Sequence, residues 1–204
     1  MKAVLFGAQG QLGTAILPSA RERDVELVSA DRSIDVADAG AVQAIIEAVR
    51  PDWVINCAAM TDVDGAHADP HRAFAVNALG PGNMARAAES VGARVVQIST
   101  EAVFDGERTA PYREDDACRP VSVYGAAKLA GESLVAIYSP ESFVLRTSWL
   151  YSGGSGMNFP TRLLQQLDDP DRSISVVTDV VGNPTPTSVL ADAVVGRSAR
   201  AQIS

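Results

Sequence analysis

Short apolar segments alternate with helical patterns along this 204-residue chain, and this alternation constrains the fold more than any other feature. The predicted strands lie at 2–8, 25–30, 53–57, 94–99 and 143–150. The helical patterns between them cover 11–23, 38–50, 70–91 and 121–138. Strands joined by helices of this length need right-handed crossovers and pair in parallel. The sequence therefore predicts an α/β fold, a doubly wound parallel sheet with helices on both faces.

The chain divides unevenly beyond the fifth strand. Residues 1–150 predict one Rossmann-like nucleotide-binding domain, whereas 151–204 are too few for an independent domain of usual size. Weaker patterns in this second part predict a loop at 152–156, a helix at 159–167, a strand at 174–178 and a helix at 187–200. Pro18 is expected to bend or end the first helix because it lacks a backbone donor.

Charge and cysteine content limit the kinds of partner. With 17 basic and 25 acidic residues the formal net charge is −8, which argues against nucleic acid or an anionic membrane surface. Cys57, Cys118, His67 and His71 supply neither a disulfide framework nor a zinc ligand set, so no metal site is predicted. We see no signal-peptide pattern and no run of 18 apolar residues, and therefore expect a cytoplasmic protein with a small-molecule ligand.

A glycine-rich turn joins the first strand to the first helix. Gly7, Gly10 and Gly13 have the spacing that lets a backbone approach a pyrophosphate at a helix N-terminus, although the spacing alone also fits a purely structural turn. Asp31 follows the second strand, where a carboxylate binds the adenosine ribose. Arg32 instead fits a 2′-phosphate, so the choice between NAD and NADP stays open.

A tyrosine and a lysine four residues apart begin the helix that follows the long polar loop at 100–120. On one helical face, the charge of Lys128 is expected to favour the phenolate of Tyr124. The pair alone also fits an ordinary surface helix. Thr100, at the end of the fourth strand, adds a hydroxyl that can hold a substrate carbonyl while Tyr124 donates a proton to the developing alkoxide. The three residues together predict a reductase site.

These features resemble the extended short-chain dehydrogenases that act on nucleotide sugars. Six segments narrow the resemblance to the dTDP-4-dehydrorhamnose reductase family: 10–13, 56–61, 99–106, 123–132, 145–149 and 182–185. The resemblance implies reduction of the 4-keto group of a dTDP-4-dehydro-6-deoxy-L-sugar by NADPH or NADH, giving dTDP-L-rhamnose or a related deoxysugar. Some family members also form a homodimer with a Mg²⁺-linked contact. Members continue beyond the position of Ser204, so 151–204 are expected to form a partial substrate-binding lobe.

The same resemblance implies individual roles for the site residues. Cofactor contacts would run from the pyrophosphate (Gly7, Gly10, Gln11, Leu12, Gly13) through the adenosine end (Asp31, Arg32, Asp35, Val36) to the nicotinamide half (Ala59, Met60, Thr61, Ile98). Tyr124 would donate the proton and Lys128 would bind the nicotinamide ribose. Thr100 and Glu101 would touch the sugar, and Trp149 would contact the nucleotide-sugar substrate.

The chain departs from the family pattern at two places. Glu101 and Ala102 stand where the family usually has Asp and Tyr, and 179–182 replace the usual Asp-Gln segment. These departures leave two other functions open. One is a non-catalytic NAD(P)-binding regulatory subunit or sensor of the same fold. The other is a nucleotide-sugar 4-epimerase or dehydratase that keeps NAD⁺ bound through its cycle.

Several candidate residues also have ordinary structural interpretations. His67 and His71 fit a surface pair, and Trp53 fits packing between a helix and a strand. Trp149 fits a core position as well as a ligand contact. The acidic residues after the second strand also fit solvated loop charge: Asp31, Asp35 and Asp38.

Overall fold

Five parallel strands form one sheet in the computed structural model, which describes residues 1–30, 32–152, 160–161, 163–164, 173–175 and 178–200. The strands are β1 (Lys2–Phe6), β2 (Glu26–Ala30), β3 (Trp53–Asn56), β4 (Arg94–Thr100) and β5 (Phe143–Thr147). Their order is β2-β1-β3-β4-β5. The predicted doubly wound α/β fold is therefore confirmed.

The helices of the described residues follow the predicted alternation. They are α1 (Gln11–Glu22), α2 (Ala39–Val49), α3 (Val63–Ala68), α4 (Pro70–Phe74), α5 (Gly80–Val91), α6 (Val123–Tyr138) and α7 (Thr187–Arg200). A π-helical turn, Ala75–Leu79, joins α4 to α5, so the helix predicted over 70–91 is one continuous helical stretch. Helix α3 was not predicted. None of these helices is long and apolar enough to cross a membrane.

Two hydrophobic clusters cover the two faces of the sheet. Successive strand residues point to opposite faces, so Val4 packs with Met84 of α5 and Leu5 packs with Ile16 of α1. Both strand residues are fully buried. Strand β1 is thus enclosed by helices on both sides, as a parallel sheet requires.

Pro18 does not end the first helix, since α1 continues to Glu22. Ile16 and Ala20, on either side of the proline, are buried in the same cluster. The burial of these side chains offsets the backbone hydrogen bond that proline removes.

Part of the chain beyond residue 150 packs on the sheet domain. A short parallel pair is formed by β6 (Leu150–Tyr151) and β7 (Thr185–Pro186). Val194 of α7 then joins the cluster of α1, and the Ser19 hydroxyl donates to the Asp192 carboxylate over 2.7 Å. The division at residue 150 stays a prediction. The elements predicted at 152–156, 159–167 and 174–178 lie largely outside the described residues.

Candidate active site

A cleft of about 470 Å³ opens at the carboxyl ends of β1, β2 and β3. Strand β2 lies on one side of β1 and β3 lies on the other, so the strand order reverses at β1. Sheets of this kind bind ligands at the point where the order reverses. The cleft is lined by the glycine turn, the end of β2, the loop after β3 and two side chains of the α4 region.

The glycine turn has a tight backbone that side chains would obstruct. Gly7 has a φ of 76°, and a Cβ there would lie 2.6 Å from the backbone of Cys57 and Ala58. A Cβ on Gly13 would lie 2.2 Å from the carbonyl oxygen of Gly7. Gly10 is the N-cap of α1 and has no side chain to accept from the first-turn N–H groups. These donors therefore fit an anionic pyrophosphate at the start of α1.

The side chains of the first turn of α1 differ in exposure. Gln11 begins the helix directly after Gly10, which lines the cleft. Leu12 is buried in the cluster shared with α7, so only its backbone N–H remains for a ligand contact. The sequence alone did not show that the side chains of Gln11 and Leu12 have different surroundings.

An ion pair forms one wall of the cleft. The Arg72 guanidinium donates to both carboxylate oxygens of Asp35, over 2.8 and 3.2 Å. The hydrogen bond from Arg72 is the largest cause that holds the pKa of Asp35 below its usual range. Arg32 lines the same wall, whereas Asp31 lies outside the described residues. Sequence reasoning missed Arg72 because it lies 37 residues from its partner.

The neighbouring acidic and apolar residues are used structurally. Asp38 accepts from the backbone N–H groups of Gly40 and Ala41 and caps α2. Val36 is buried, and its carbonyl accepts from the Asn83 side chain over 3.1 Å. Asp35 and Asp38 are both exposed, which agrees with solvated loop charge, although each also has a structural partner.

Buried amides shape the loop after β3. Asn56 donates to Gln97 over 2.8 Å and accepts from the backbone N–H of Ala58. Asn77, in the π-helical turn, accepts from the N–H of Met60 and donates to its carbonyl, both over 2.9 Å. Both contacts fix the backbone beside the cleft. The only sequence signal for Asn77 was a polar residue within the apolar run 73–79.

The three residues predicted along this loop have different surroundings. Ala59 lines the cleft. Met60 packs against the hydrophobic cluster of α2 and α5, and Thr61 lies exposed beyond it.

A close helix approach brings Tyr124 beside Thr100. Ser122 caps α6 by accepting from the N–H of Gly125 over 3.0 Å. A Cβ on Gly125 would lie only 2.1 Å from the carbonyl oxygen of Ala102, so glycine is needed where α6 begins. The phenol of Tyr124 then interacts with the hydroxyl of Thr100 at the end of β4. The structure thus brings together two residues that lie 24 positions apart.

Glu101 completes this group. The Thr100 hydroxyl donates to Oε2 of Glu101 over 3.0 Å and accepts from the N–H of Ala102 over 3.2 Å. Burial raises the pKa of Tyr124, the Thr100 hydroxyl lowers it, and the nearby Glu101 raises it further. Burial also raises the pKa of Glu101, against the opposing effect of its own backbone N–H and of Thr100.

Lys128 is buried beneath this group. Its ammonium donates to the carbonyl oxygen of Ile98 over 2.6 Å. Burial lowers the pKa of Lys128 to about 8, although the carboxylate of Glu132 opposes this. The expectation that Lys128 favours the phenolate of Tyr124 differs from the structure, in which the pKa of Tyr124 is raised. Burial of the phenol is the largest cause of this rise, and the nearby Glu101 adds to it.

An ion pair missed by the sequence analysis supports this region. Arg146 of β5 donates to the Glu132 carboxylate, with Nη2 2.7 Å from Oε2, and Ser99 donates to the same carboxylate. Arg146 also donates to the carbonyl of Glu114 over 3.3 Å. This network ties the end of β4, helix α6 and the long loop together. Its only sequence signal was the charged residues within otherwise apolar patterns.

Trp149 lies where two of the family-like segments meet. It has a φ of 45° and is 45% exposed, so the core interpretation is wrong. A Cβ on Gly182 would lie 2.8 Å from the indole ring, and the carbonyl of Trp149 accepts from the N–H of Thr185. Trp53, in contrast, is buried and stacks on Phe143, as its packing interpretation predicted.

These features define the class of the protein. The sheet order, the glycine turn and the group formed by Thr100, Tyr124 and Lys128 are those of a Rossmann-like protein of short-chain dehydrogenase type. The family model described as the RmlD substrate binding domain matches residues 1–202. The chain belongs to the dTDP-4-dehydrorhamnose reductase family, and the resemblance seen in the sequence is confirmed.

Relatives agree with this membership. The dTDP-4-dehydrorhamnose reductase of Mycolicibacterium smegmatis is 41% identical over 94% of this chain and 58% of its own length. The crystal structure of the reductase of Clostridium acetobutylicum has a TM-score of 0.92 at 41% identity, covering 98% of this chain and 71% of that one. The reductase of Bacillus anthracis, solved in complex with NADP, has a TM-score of 0.91 at 35% identity over 97% of this chain and 70% of that one. The chain thus spans less than two thirds of the curated relative's length.

Proposed function

We propose that this protein uses NADPH or NADH to reduce the 4-keto group of a dTDP-4-dehydro-6-deoxy-L-sugar. The observation that carries the proposal is the placement of Tyr124 beside Thr100, with Lys128 beneath them, at the end of β4 next to the cleft. The bound dihydronicotinamide would supply a hydride. The names of the curated relatives support the choice of substrate.

Tyr124 is the proton donor in this proposal. A phenol whose pKa is raised by burial and by Glu101 stays protonated at neutral pH, as an acid must. Thr100 would orient the carbonyl so that the proton reaches the oxygen at C4 as negative charge develops there. General acid catalysis of this kind contributes on the order of 10² to 10⁴ in rate.

Lys128 would bind the nicotinamide ribose. Its contact with the Ile98 carbonyl leaves donors of the ammonium for the ribose hydroxyls, because an ammonium carries three N–H groups. The Glu132 carboxylate, which pairs with Arg146 of β5 and accepts from Ser99 of β4, would hold α6 against these strands.

The cofactor would lie along the cleft with its pyrophosphate on the glycine turn. The adenosine end would face Asp31, Arg32, Asp35 and Val36, with Arg72 added by the structure. The nicotinamide half would pass Ala59, Met60 and Thr61 towards Ile98. The tight glycine turn and the open first turn of α1 are the observations that fit this placement.

The sugar nucleotide would be held between β4 and residues after 150. Thr100 and Glu101 would contact the sugar, and Trp149, exposed beside Gly182, would contact the nucleotide. Residues 151–204 would contribute a partial substrate lobe. A homodimer and a Mg²⁺-linked contact are further proposals from the family resemblance.

Cofactor oxidation tests the proposal directly. The purified chain is mixed with an enzymatically prepared dTDP-4-keto-6-deoxy-L-sugar, and NADH and NADPH oxidation are followed separately, with Tyr124→Phe as the matched variant. Turnover that depends on Tyr124 is expected. Tight cofactor binding without turnover would favour the non-catalytic binding function. NAD⁺ that stays bound through purification would favour an epimerase or dehydratase.

A further inference from the structure

Two side chains share one buried acceptor near the end of β4. The Lys128 ammonium donates to the carbonyl oxygen of Ile98 over 2.6 Å, and the side-chain amide of Gln97 donates to the same oxygen over 2.7 Å. The ladder between β3 and β4 ends at the pair Asn56 and Gln97, so this carbonyl lies one residue beyond the last pair. A carbonyl oxygen has two lone pairs. Gln97 therefore occupies one of the two directions from which the ammonium can approach.

A second buried amide fixes the orientation of Gln97. Asn56 donates to Oε1 of Gln97 over 2.8 Å and accepts from the backbone N–H of Ala58 over 2.9 Å. This line of amides starts at a backbone N–H, which can only donate, and ends at the Ile98 carbonyl, which can only accept. Neither amide can be reversed without placing donor against donor or acceptor against acceptor. Nε2 of Gln97 must therefore point at the carbonyl that Lys128 uses.

Joining the two strands does not by itself account for this pair of amides. Asn56 and Gln97 are each 1% exposed, and Lys128 is 4% exposed. An apolar pair of similar shape would join β3 to β4 about as well, because replacing both partners of a buried hydrogen bond is nearly neutral. What the amides add is a defined link between the ammonium and Ala58, whose residue lines the cleft.

We propose that Gln97 is a positioning residue for Lys128. By holding one lone pair of the Ile98 carbonyl, it confines the ammonium to the other and leaves the remaining N–H groups in a fixed place for the nicotinamide ribose. Because Asn56 holds both Gln97 and the Ala58 backbone, the ammonium keeps a fixed relation to the loop after β3. The inference rests on the proposed cofactor role of Lys128 and adds a residue that the family resemblance did not assign.

The groups around the ammonium give this contact a measurable consequence. Burial is the largest influence and lowers the pKa of Lys128, whereas Glu132 on α6 and Cys57 after β3 raise it. The N–H of Gln97 on β4 brings the positive end of its dipole to the oxygen that the ammonium uses. This dipole opposes the charged form of the lysine, so its removal should raise the pKa of Lys128.

An NMR titration tests the contact without substrate or cofactor. The chain has two lysines, Lys2 and Lys128, so protein labelled with ¹³C at the lysine Cε gives two resonances, which Lys2→Arg assigns. In Gln97→Met the pKa of Lys128 should rise by about 0.5 to 1, because the competing donor is lost. Gln43→Met, which changes an exposed glutamine of α2, is the matched control. An unchanged or lowered pKa of Lys128 in Gln97→Met, or an equal rise in the control, overturns the proposal.

A second variant covers the case in which Gln97→Met does not fold. Gln97→Glu keeps the shape of the side chain and an oxygen that can accept from Asn56. The introduced carboxylate would lie beside the ammonium, so the pKa of Lys128 should rise further than in Gln97→Met. An unchanged titration of Lys128 in folded Gln97→Glu protein overturns the proposal as well.

Cofactor binding separates positioning from a general loss of structure. Calorimetric titration compares NADPH with 2′,5′-ADP, a probe that has the adenosine end but no nicotinamide ribose. Gln97→Met should weaken the binding of NADPH about fivefold and that of 2′,5′-ADP less than about twofold. Equal weakening of the two, or of neither, overturns the proposal. A wild-type chain that binds no cofactor, or binds it without turnover, contradicts the proposed function instead, and the NMR titration still decides whether Gln97 positions Lys128.

Discussion

The Lys128 ammonium lies 2.6 Å from the carbonyl oxygen of Ile98, so a buried charge ties helix α6 to strand β4. The ordinary pKa of a lysine is 10.5, and burial lowers that of Lys128 to about 8. Burial of the lysine, and not its contact with the Ile98 carbonyl, therefore makes its charge sensitive to moderately alkaline pH.

Folding stability should respond to this group as pH rises. Between the folded pKa near 8 and the unfolded value of 10.5 the unfolded chain binds more protons, so the wild-type free energy of unfolding gains from Lys128 as pH increases. The gain over the whole window is about 3 kcal/mol. We expect wild type to become more stable relative to Lys128→Met between pH 8 and 10. Urea unfolding of both proteins at several pH values measures this, and a constant difference would contradict it.

The start of α6 should not accept a larger residue. Gly125→Ala places a Cβ against the Ala102 carbonyl and should destabilise the fold by about 1–3 kcal/mol, with loss of turnover as Tyr124 moves from Thr100. Gly196→Ala is the matched control, because a Cβ there meets nothing within 4 Å inside α7. It should stabilise the helix by up to about 1 kcal/mol. Thermal melts and activity of the two variants distinguish close packing from a general effect of alanine.

The ion pair of Arg146 and Glu132 should matter more than its surface counterpart. Glu132→Ala leaves the Arg146 guanidinium without its carboxylate in a largely buried position and should cost about 3 kcal/mol. Glu141→Ala breaks the exposed pair with Arg94 and should cost less than about 1 kcal/mol. Denaturant unfolding measures both. Similar losses of unfolding free energy in the two variants would show that the buried ion pair contributes no more to stability than the exposed one.

The cleft wall that contains Arg32 and Arg72 should favour NADPH, which carries a phosphate on its adenosine ribose, over NADH. Arg72 is held against Asp35 on the same wall as Arg32, so its guanidinium is placed to attract a 2′-phosphate. We expect Arg72→Ala to weaken NADPH binding about tenfold and NADH binding much less. Calorimetric titration with both cofactors gives the ratio, with Arg86→Ala, a change outside the cleft, as the control. If Arg72→Ala weakened the binding of NADPH and NADH equally, Arg72 would not be recognising the 2′-phosphate.

The local pattern of the sequence was enough to predict the architecture. Apolar runs of strand length, separated by amphipathic stretches, specify a parallel sheet because each element must bury its own apolar face. The glycine turn and the four-residue spacing of Tyr124 and Lys128 were likewise visible, since those signals lie within a few residues along the chain. Helix α1 shows the limit of local reasoning, because packing around Pro18 decided whether that helix would continue.

What the sequence determined by itself was the fold class, the family and most of the candidate site, since these depend on short-range spacing and residue type. Only the tertiary structure decided which groups meet across long separations: Arg72 with Asp35, Arg146 with Glu132, and Trp149 with Gly182. It also decided the direction of the Tyr124 pKa, because burial and the position of Glu101 depend on how α6 packs against the end of β4. Electrostatic effects follow distances in space, and those are set by the packing of the helices on the sheet.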